Sequence, residues 1–278
     1  MKTVVVTGSF NNIQSWDIRF LEEAAKIGPL HILLWSDDAY QQLKGRKPEF
    51  PQEERQCFLE SVRHVKQVIL VDGIVNPDEI PHVDRIKPDV WVVPENRDTF
   101  SKRHFCATYG IEYIILKEKD LAGFPILPIK DDLTSSRKKV LVTGCYDWLH
   151  SGHVRFFEET SGLGDLYVVV GSDENVRLLK GAGHPLLSEA ERLYLVQSIR
   201  FVKQALISSG NGWMDAEPEI GKIKPDIYAV NEDGDKPEKR EFCQKHGLEY
   251  VVLRRIPKLD FVHSRSFKVY KKRHYSGN

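Results

Sequence analysis

The chain has 278 residues, enough for one large domain or two ordinary ones with a sizeable core. Its 40 lysines and arginines balance 40 aspartates and glutamates, so no basic field marks nucleic acid or an anionic membrane as the main partner. Four scattered cysteines, Cys57, Cys106, Cys145 and Cys243, form no Cys-x-x-Cys pair, which excludes a disulfide framework or zinc ribbon and suits a reducing compartment.

The chain opens with Val4-Val5-Val6-Thr7-Gly8, an apolar run too short for the core of a secretory leader. No later run approaches a membrane span, and a soluble cytoplasmic protein is expected. The opening returns as Val140-Leu141-Val142-Thr143-Gly144, and the match continues. Arg19-Phe20-Leu21-Glu22-Glu23 is mirrored by Arg155-Phe156-Phe157-Glu158-Glu159, and Ser36-Asp37 by Ser172-Asp173. Ile86-Lys87-Pro88-Asp89 is mirrored by Ile223-Lys224-Pro225-Asp226, and Gly110-Ile111-Glu112-Tyr113 by Gly247-Leu248-Glu249-Tyr250. One extra residue in the second copy accounts for the change of register. Two copies of one domain are expected, over 1–130 and 137–278. The connector between them is rich in proline, glycine and small polar residues, with its boundary near Ser135, and its Phe124, Ile126 and Leu127 are expected to dock on the first domain.

In the second copy, strand-like runs at 140–142, 166–170, 205–208, 226–230 and 250–253 alternate with helical patterns. That alternation implies right-handed crossovers and an α/β fold, two tandem Rossmann-like, doubly wound parallel sheets. Ligands of such sheets bind beyond the carboxyl ends of the strands.

At one such end lies Gly144-Cys145-Tyr146-Asp147-Trp148-Leu149-His150-Ser151-Gly152-His153. Val154, Phe156, Phe157 and Leu163 follow with the spacing of an amphipathic helix. The turn therefore delivers two histidines to a helix start, where free N–H groups and the positive end of the helix dipole favour phosphate. Gly152 allows close approach to the backbone. A bare pair of histidines is more often a solvated surface feature, and no third ligand at zinc spacing accompanies it; the strand-turn-helix context favours phosphate.

These residues resemble the signature of the cytidylyltransferase-like nucleotidylyltransferases, which join a nucleoside triphosphate to a phosphorylated acceptor and release pyrophosphate. The resemblance covers nearly all of both copies. It implies that His150, His153 and Lys180 are catalytic, and that Gly144, Cys145, Tyr146, Asp147, Gly152 and Arg192 bind nucleotide. Asn231 and Asp233 match the family's acidic loop beside the nucleotide, although acidic turns are common. Ser264 and Lys268 match the segment that closes over the triphosphate, with His263 and Arg265 where small hydroxyl residues are usual. Lys180 is placed to reach both phosphates, so it is an acceptor contact too. Trp213 is a second acceptor contact or a packed loop residue, and Arg192 has a surface ion pair with Glu189 as its competing role. Magnesium (Mg2+) would travel with the triphosphate, needing no metal cage in the protein, with Asp147 as an outer ligand.

In the first copy Gln14, Trp16 and Asp17 stand at the positions of His150, Gly152 and His153, and Trp35 stands at that of Gly171. A carboxylate repels phosphate and an indole fills its space, so this copy is expected to keep the scaffold without the chemistry. Tandem domains with one degenerate copy resemble ethanolamine-phosphate cytidylyltransferases, whereas the Lys180-Gly181 loop resembles a sugar-phosphate adenylyltransferase branch. CTP with a small alcohol or sugar phosphate is the favoured pair, with ATP next. A non-catalytic nucleotide sensor or scaffold is the alternative reading, and a homodimer is left open.

Overall fold

The computed structural model describes residues 2–73, 75–126 and 135–254. They divide into two compact units, one running to Gly123 and the other starting at Phe124. The first contains β1 (Val4–Gly8), α1 (Ser15–Ala25), β2 (Leu30–Trp35), α2 (Asp37–Lys44), α3 (Gln52–Ser61), β3 (Val65–Val71), β4 (Val90–Pro94), α4 (Phe100–Tyr109) and β5 (Glu112–Leu116). The second contains β6 (Lys139–Gly144), α5 (Ser151–Leu163), β7 (Asp165–Val170), α6 (Asp173–Lys180), α7 (Glu189–Gln197), β8 (Val202–Ile207), α8 (Glu217–Ile223), β9 (Ile227–Asn231), α9 (Pro237–His246) and β10 (Glu249–Leu253).

Each unit is a five-stranded parallel sheet, in the order β3-β2-β1-β4-β5 and its counterpart β8-β7-β6-β9-β10. The central strands read as unbroken apolar runs because helices cover both faces, and Val4, Val5, Val140, Leu141 and Val142 are all buried. The two units share even their irregularities. The register slips between Leu30 and His31 where β2 meets β3, and between Leu166 and Tyr167 where β7 meets β8. That slip brings Val202 into the ladder, so β8 begins earlier than its apolar run suggests. Gly28 and Gly164 close the two matching crossovers. A Cβ there would lie 2.2 Å from the Lys2 carbonyl and 2.1 Å from that of Lys138, so no larger residue fits.

The amphipathic reading of α5 holds for Val154, Phe156 and Phe157, which are buried, while Leu163 at the helix end is largely exposed. Burying a side chain such as Phe157 stabilises by about 1.5–3 kcal/mol. The connector differs from expectation. The Phe124 ring packs 5.7 Å from Tyr194 of α7, in the second unit, Ile126 is exposed, and Leu127 lies outside the described residues. Between β3 and β4 the first unit has turns where the second has α8. No described helix is long and apolar enough to cross a membrane.

Candidate functional site

Strand β6 pairs with β7 along its whole length, from Lys139↔Asp165 to Gly144↔Val170, yet with β9 only at Val140↔Ile227 and Leu141↔Tyr228. The strands part towards their carboxyl ends, on the seam where the connections switch from one side of the sheet to the other. Ligand crevices of open α/β sheets form at such seams. One hydrogen bond of 2.8 Å, between Thr143 Oγ1 and the Tyr228 hydroxyl, spans the opening.

The turn after β6 is shaped by Tyr146, which takes the left-handed φ of 51°. Its ring folds back over Gly144, where a Cβ would meet ring carbon Cζ at 2.8 Å; the glycine is thus explained by the tyrosine rather than by a ligand. Burial raises the pKa of the phenol and keeps it neutral. The same ring lies 5.3 Å from both His153 and Phe157, holding the imidazole against the core of α5. His150 is the N-cap of α5, and its Nδ1 accepts the Gly152 N–H at 3.1 Å. In the neutral ring the proton therefore resides on Nε2, which faces away from the helix cap as a donor. The two imidazoles stand 4.0 Å apart, centre to centre. The Gly152 N–H, expected to meet phosphate, is engaged by His150 instead. Between the histidines, the Ser151 hydroxyl is buried without a hydrogen-bond partner among the described residues.

Two residues assigned to nucleotide by resemblance are committed elsewhere. Arg192 is 0% exposed. Its guanidinium donates to the carbonyls of Leu187, Cys145 and Gly171 at 3.0, 2.7 and 2.7 Å, and to Asp173 Oδ1 at 2.7 Å. It pins together the ends of β6 and β7, and its ion-pair partner is Asp173; Glu189 instead accepts the Asp173 N–H. Asp147 is buried too. Its Oδ1 accepts the N–H groups of Leu186 and Leu187 at 2.6 and 3.0 Å, and Oδ2 lies 3.1 Å from His184 Nδ1. Both oxygens are occupied, so Asp147 clamps the 184–187 loop rather than standing as an outer magnesium ligand.

The remaining expected residues are dispersed around the crevice. The Cys145 carbonyl is held by Arg192. Lys180 ends α6 with an exposed side chain that has no polar partner among the described residues, before Gly181 at φ 87°. Trp213 is 68% exposed on a short turn tied to α6 by reciprocal bonds between Asn175 and Gly212. Asn231 ends β9, and Asp233 follows it, exposed. Ser264 and Lys268 lie outside the described residues. The sequence reading overlooked Ser151, His184, Asp215, Lys236 and Lys239. For His184 and Lys236 a signal was available in the copy comparison, since Lys47 and Thr99 stand at their positions; Asp215 and Lys239 match Asp78 and Lys102 and offered none.

Among the described residues no three histidine, cysteine or acidic side chains converge on a common point.

The family model described as cytidylyltransferase-like matches residues 5–134 and again 141–277, one match for each unit. FAD synthase from Ferroglobus placidus is 38% identical over 120 residues, which are 42% of this chain and 75% of that protein. FAD synthase from Thermococcus kodakarensis is 36% identical over 132 residues, 46% of this chain and 86% of the relative. The bifunctional protein HldE of Desulfatibacillum aliphaticivorans is 37% identical over 108 residues, but these span only 22% of its length and 37% of this chain. A crystal structure of a lipopolysaccharide core biosynthesis protein from Thermoplasma volcanium matches at 28% identity and a TM-score of 0.37, covering 43% of this chain and 96% of that one. With a family match in each half and a histidine-bearing strand-turn-helix in the second, the chain belongs to the cytidylyltransferase-like family and is a nucleotidyltransferase.

Proposed function

We propose that the second unit transfers a nucleotidyl group from ATP to a small phosphomonoester, releasing pyrophosphate, and that the first unit is a non-catalytic copy. The observation that carries the reading is the His150/His153 pair at the start of α5, with His150 fixed as an Nε2–H donor. Relatives named FAD synthase, whose product contains an adenylyl group, favour ATP over CTP. An oxygen of the acceptor phosphate attacks the α-phosphorus, and the bond to the bridging oxygen of pyrophosphate breaks in line. A phosphate monoester is already an anionic nucleophile, so no general base is assigned. Catalysis then rests on orientation and on donors aimed at developing charge.

His150 and His153 donate to the phosphates, the Ser151 hydroxyl is available beside them, and Lys180 brings a mobile charge from the end of α6. Ser264 and Lys268 are assigned to the leaving pyrophosphate from the family match alone. Magnesium, when bound, neutralises phosphate charge. Arg192 and Asp147 act indirectly, by holding the turn and the 184–187 loop in place.

The test is pyrophosphate release by the full chain with magnesium and ATP, CTP, GTP or UTP, against a panel containing a flavin phosphate, sugar phosphates and alcohol phosphates. Acceptor-dependent release with ATP is expected, and His153→Ala should lower it on the order of a hundredfold or more. Nucleotide binding without release from any pair would move the protein to the sensor class.

A further inference from the structure

Across the crevice from the histidines, the two copies use equivalent positions in opposite ways. In the first unit the Lys102 ammonium is buried and ion-paired with Asp78 Oδ1 at 2.8 Å, and Thr99 Oγ1 donates to the same carboxylate oxygen at 2.8 Å. The second unit places Lys239, Asp215 and Lys236 at these positions. Here Lys239 makes no ion pair among the described residues; its ammonium donates to the Gly234 carbonyl at 3.2 Å and lies 5.9 Å from the centre of the Tyr228 ring. Tyr228 is the residue whose hydroxyl bridges the opening to Thr143, so Lys239 borders the seam between β6 and β9. Lys236 replaces the threonine and stands 5.8 Å above the exposed Trp213 ring, where the first unit has Asn76. The closed pair has opened: its aspartate remains as Asp215, but the lysine makes no direct ion pair with it, and a second lysine has joined beside an aromatic wall. Asp215 and Asp233 face Lys239 as well, yet burial first, and repulsion from Lys236 next, lower its pKa. A half-buried cation that makes no direct ion pair is only partly compensated by carboxylates farther off, and an anion that joins it stabilises it.

Resting on the nucleotidyl-transfer reading, the geometry points to Lys239 and Lys236 as the cradle for the phosphate of the acceptor, on the β9 side of the crevice, with Trp213 as its wall. The donor triphosphate is assigned to the opposite side, at the start of α5.

The probe is inorganic phosphate, titrated while following fluorescence with the donor site filled by magnesium α,β-methylene-ATP; Trp213→Phe identifies the signal. A saturable change is expected in the wild type. Lys239→Met should weaken phosphate roughly tenfold or more, Lys236→Thr should weaken it less, and Lys239→Arg should retain most of the binding. Lys245→Met, an exposed change on the same helix, should leave binding unchanged, and affinity for the methylene analogue should be unaltered in Lys239→Met. Wild-type phosphate affinity in Lys239→Met, an equal loss of analogue binding, or no saturable phosphate binding to the wild type would each overturn the assignment. A wild type that ignores the analogue fails the donor reading alone, because the phosphate titration is repeated without the analogue and the cradle is judged there.

Discussion

The turns after β1 and β6 begin from the same sequence and end in different chemistry. Both bring a ring back over a glycine, with Phe10 at φ 45° and Tyr146 at φ 51°. Both are pinned by a buried arginine, and the bonds are equivalent: Arg55 donates to the carbonyls of Phe50, Ser9 and Trp35 and to Asp37, as Arg192 does to Leu187, Cys145, Gly171 and Asp173. Then they part. In the second unit the helix is capped by an imidazole nitrogen of His150. In the first, Asp17 at the same position accepts the Gln14 N–H at 2.9 Å, so the residue that could meet a ligand is spent on closing the helix. What both copies keep belongs to the scaffold, and what only one keeps is where function should be sought.

The largest expected effect comes from grafting the first turn onto the second. His153→Asp puts a carboxylate against the phosphates and should abolish detectable pyrophosphate release, a loss of more than about a hundredfold, while circular dichroism reports an intact fold. Activity within tenfold of wild type would remove His153 from the site.

Next in size are the arginines. Replacing either by alanine strands three carbonyls and a carboxylate, at about 3 kcal/mol or more. Arg55→Ala and Arg192→Ala should lower the denaturant midpoint by similar amounts, but only Arg192→Ala should reduce turnover in samples still folded. Equal loss of turnover would show that the copies are not functionally separate.

How much of this was legible in the sequence follows the same division. The duplication, the parallel sheets and the motif turn could be read from apolar runs and repeated tetrapeptides, because strand burial and turn geometry act locally. The roles of Arg192 and Asp147 could not. Whether an arginine meets a phosphate or three carbonyls depends on which distant segments fold against it, and Cys145 and Gly171 are far from it in the chain. The presence of Arg55 in the degenerate copy was the available warning, since a residue retained without the chemistry is serving structure. Lys239 escaped notice for the converse reason: its counterpart Lys102 is present, and only the structure shows that one is paired with an aspartate and the other is not.

A smaller effect distinguishes the two loop clamps. Asn11 accepts the Glu49 and Phe50 N–H groups through one amide oxygen, as Asp147 does those of Leu186 and Leu187. Asp147→Asn can therefore keep its clamp and should cost no more than about 1 kcal/mol. It loses the negative charge beside His184 and turns the oxygen facing Nδ1 into an amide N–H donor. A stability loss as large as that of Arg192→Ala would mean that the carboxylate, rather than the acceptor oxygen, holds the loop.

The smallest effect is a gain. Burial raises the Asp17 pKa, opposed by the Gln14 N–H and by Arg97. A carboxyl whose folded pKa is raised favours the folded state most when protonated, so its contribution is fully present in acid and is lost as pH rises through the folded pKa. Asp17→Asn keeps an acceptor for the Gln14 N–H without the buried charge. Thermal melts of the full chain should therefore show the variant more stable than wild type at pH 7, with the difference shrinking as the pH is lowered towards the ordinary carboxylate range. A variant less stable than wild type at pH 7 would mean that the ionised cap outweighs the burial of its charge. The position shared with His153 would then have been taken over for stability and not merely left behind.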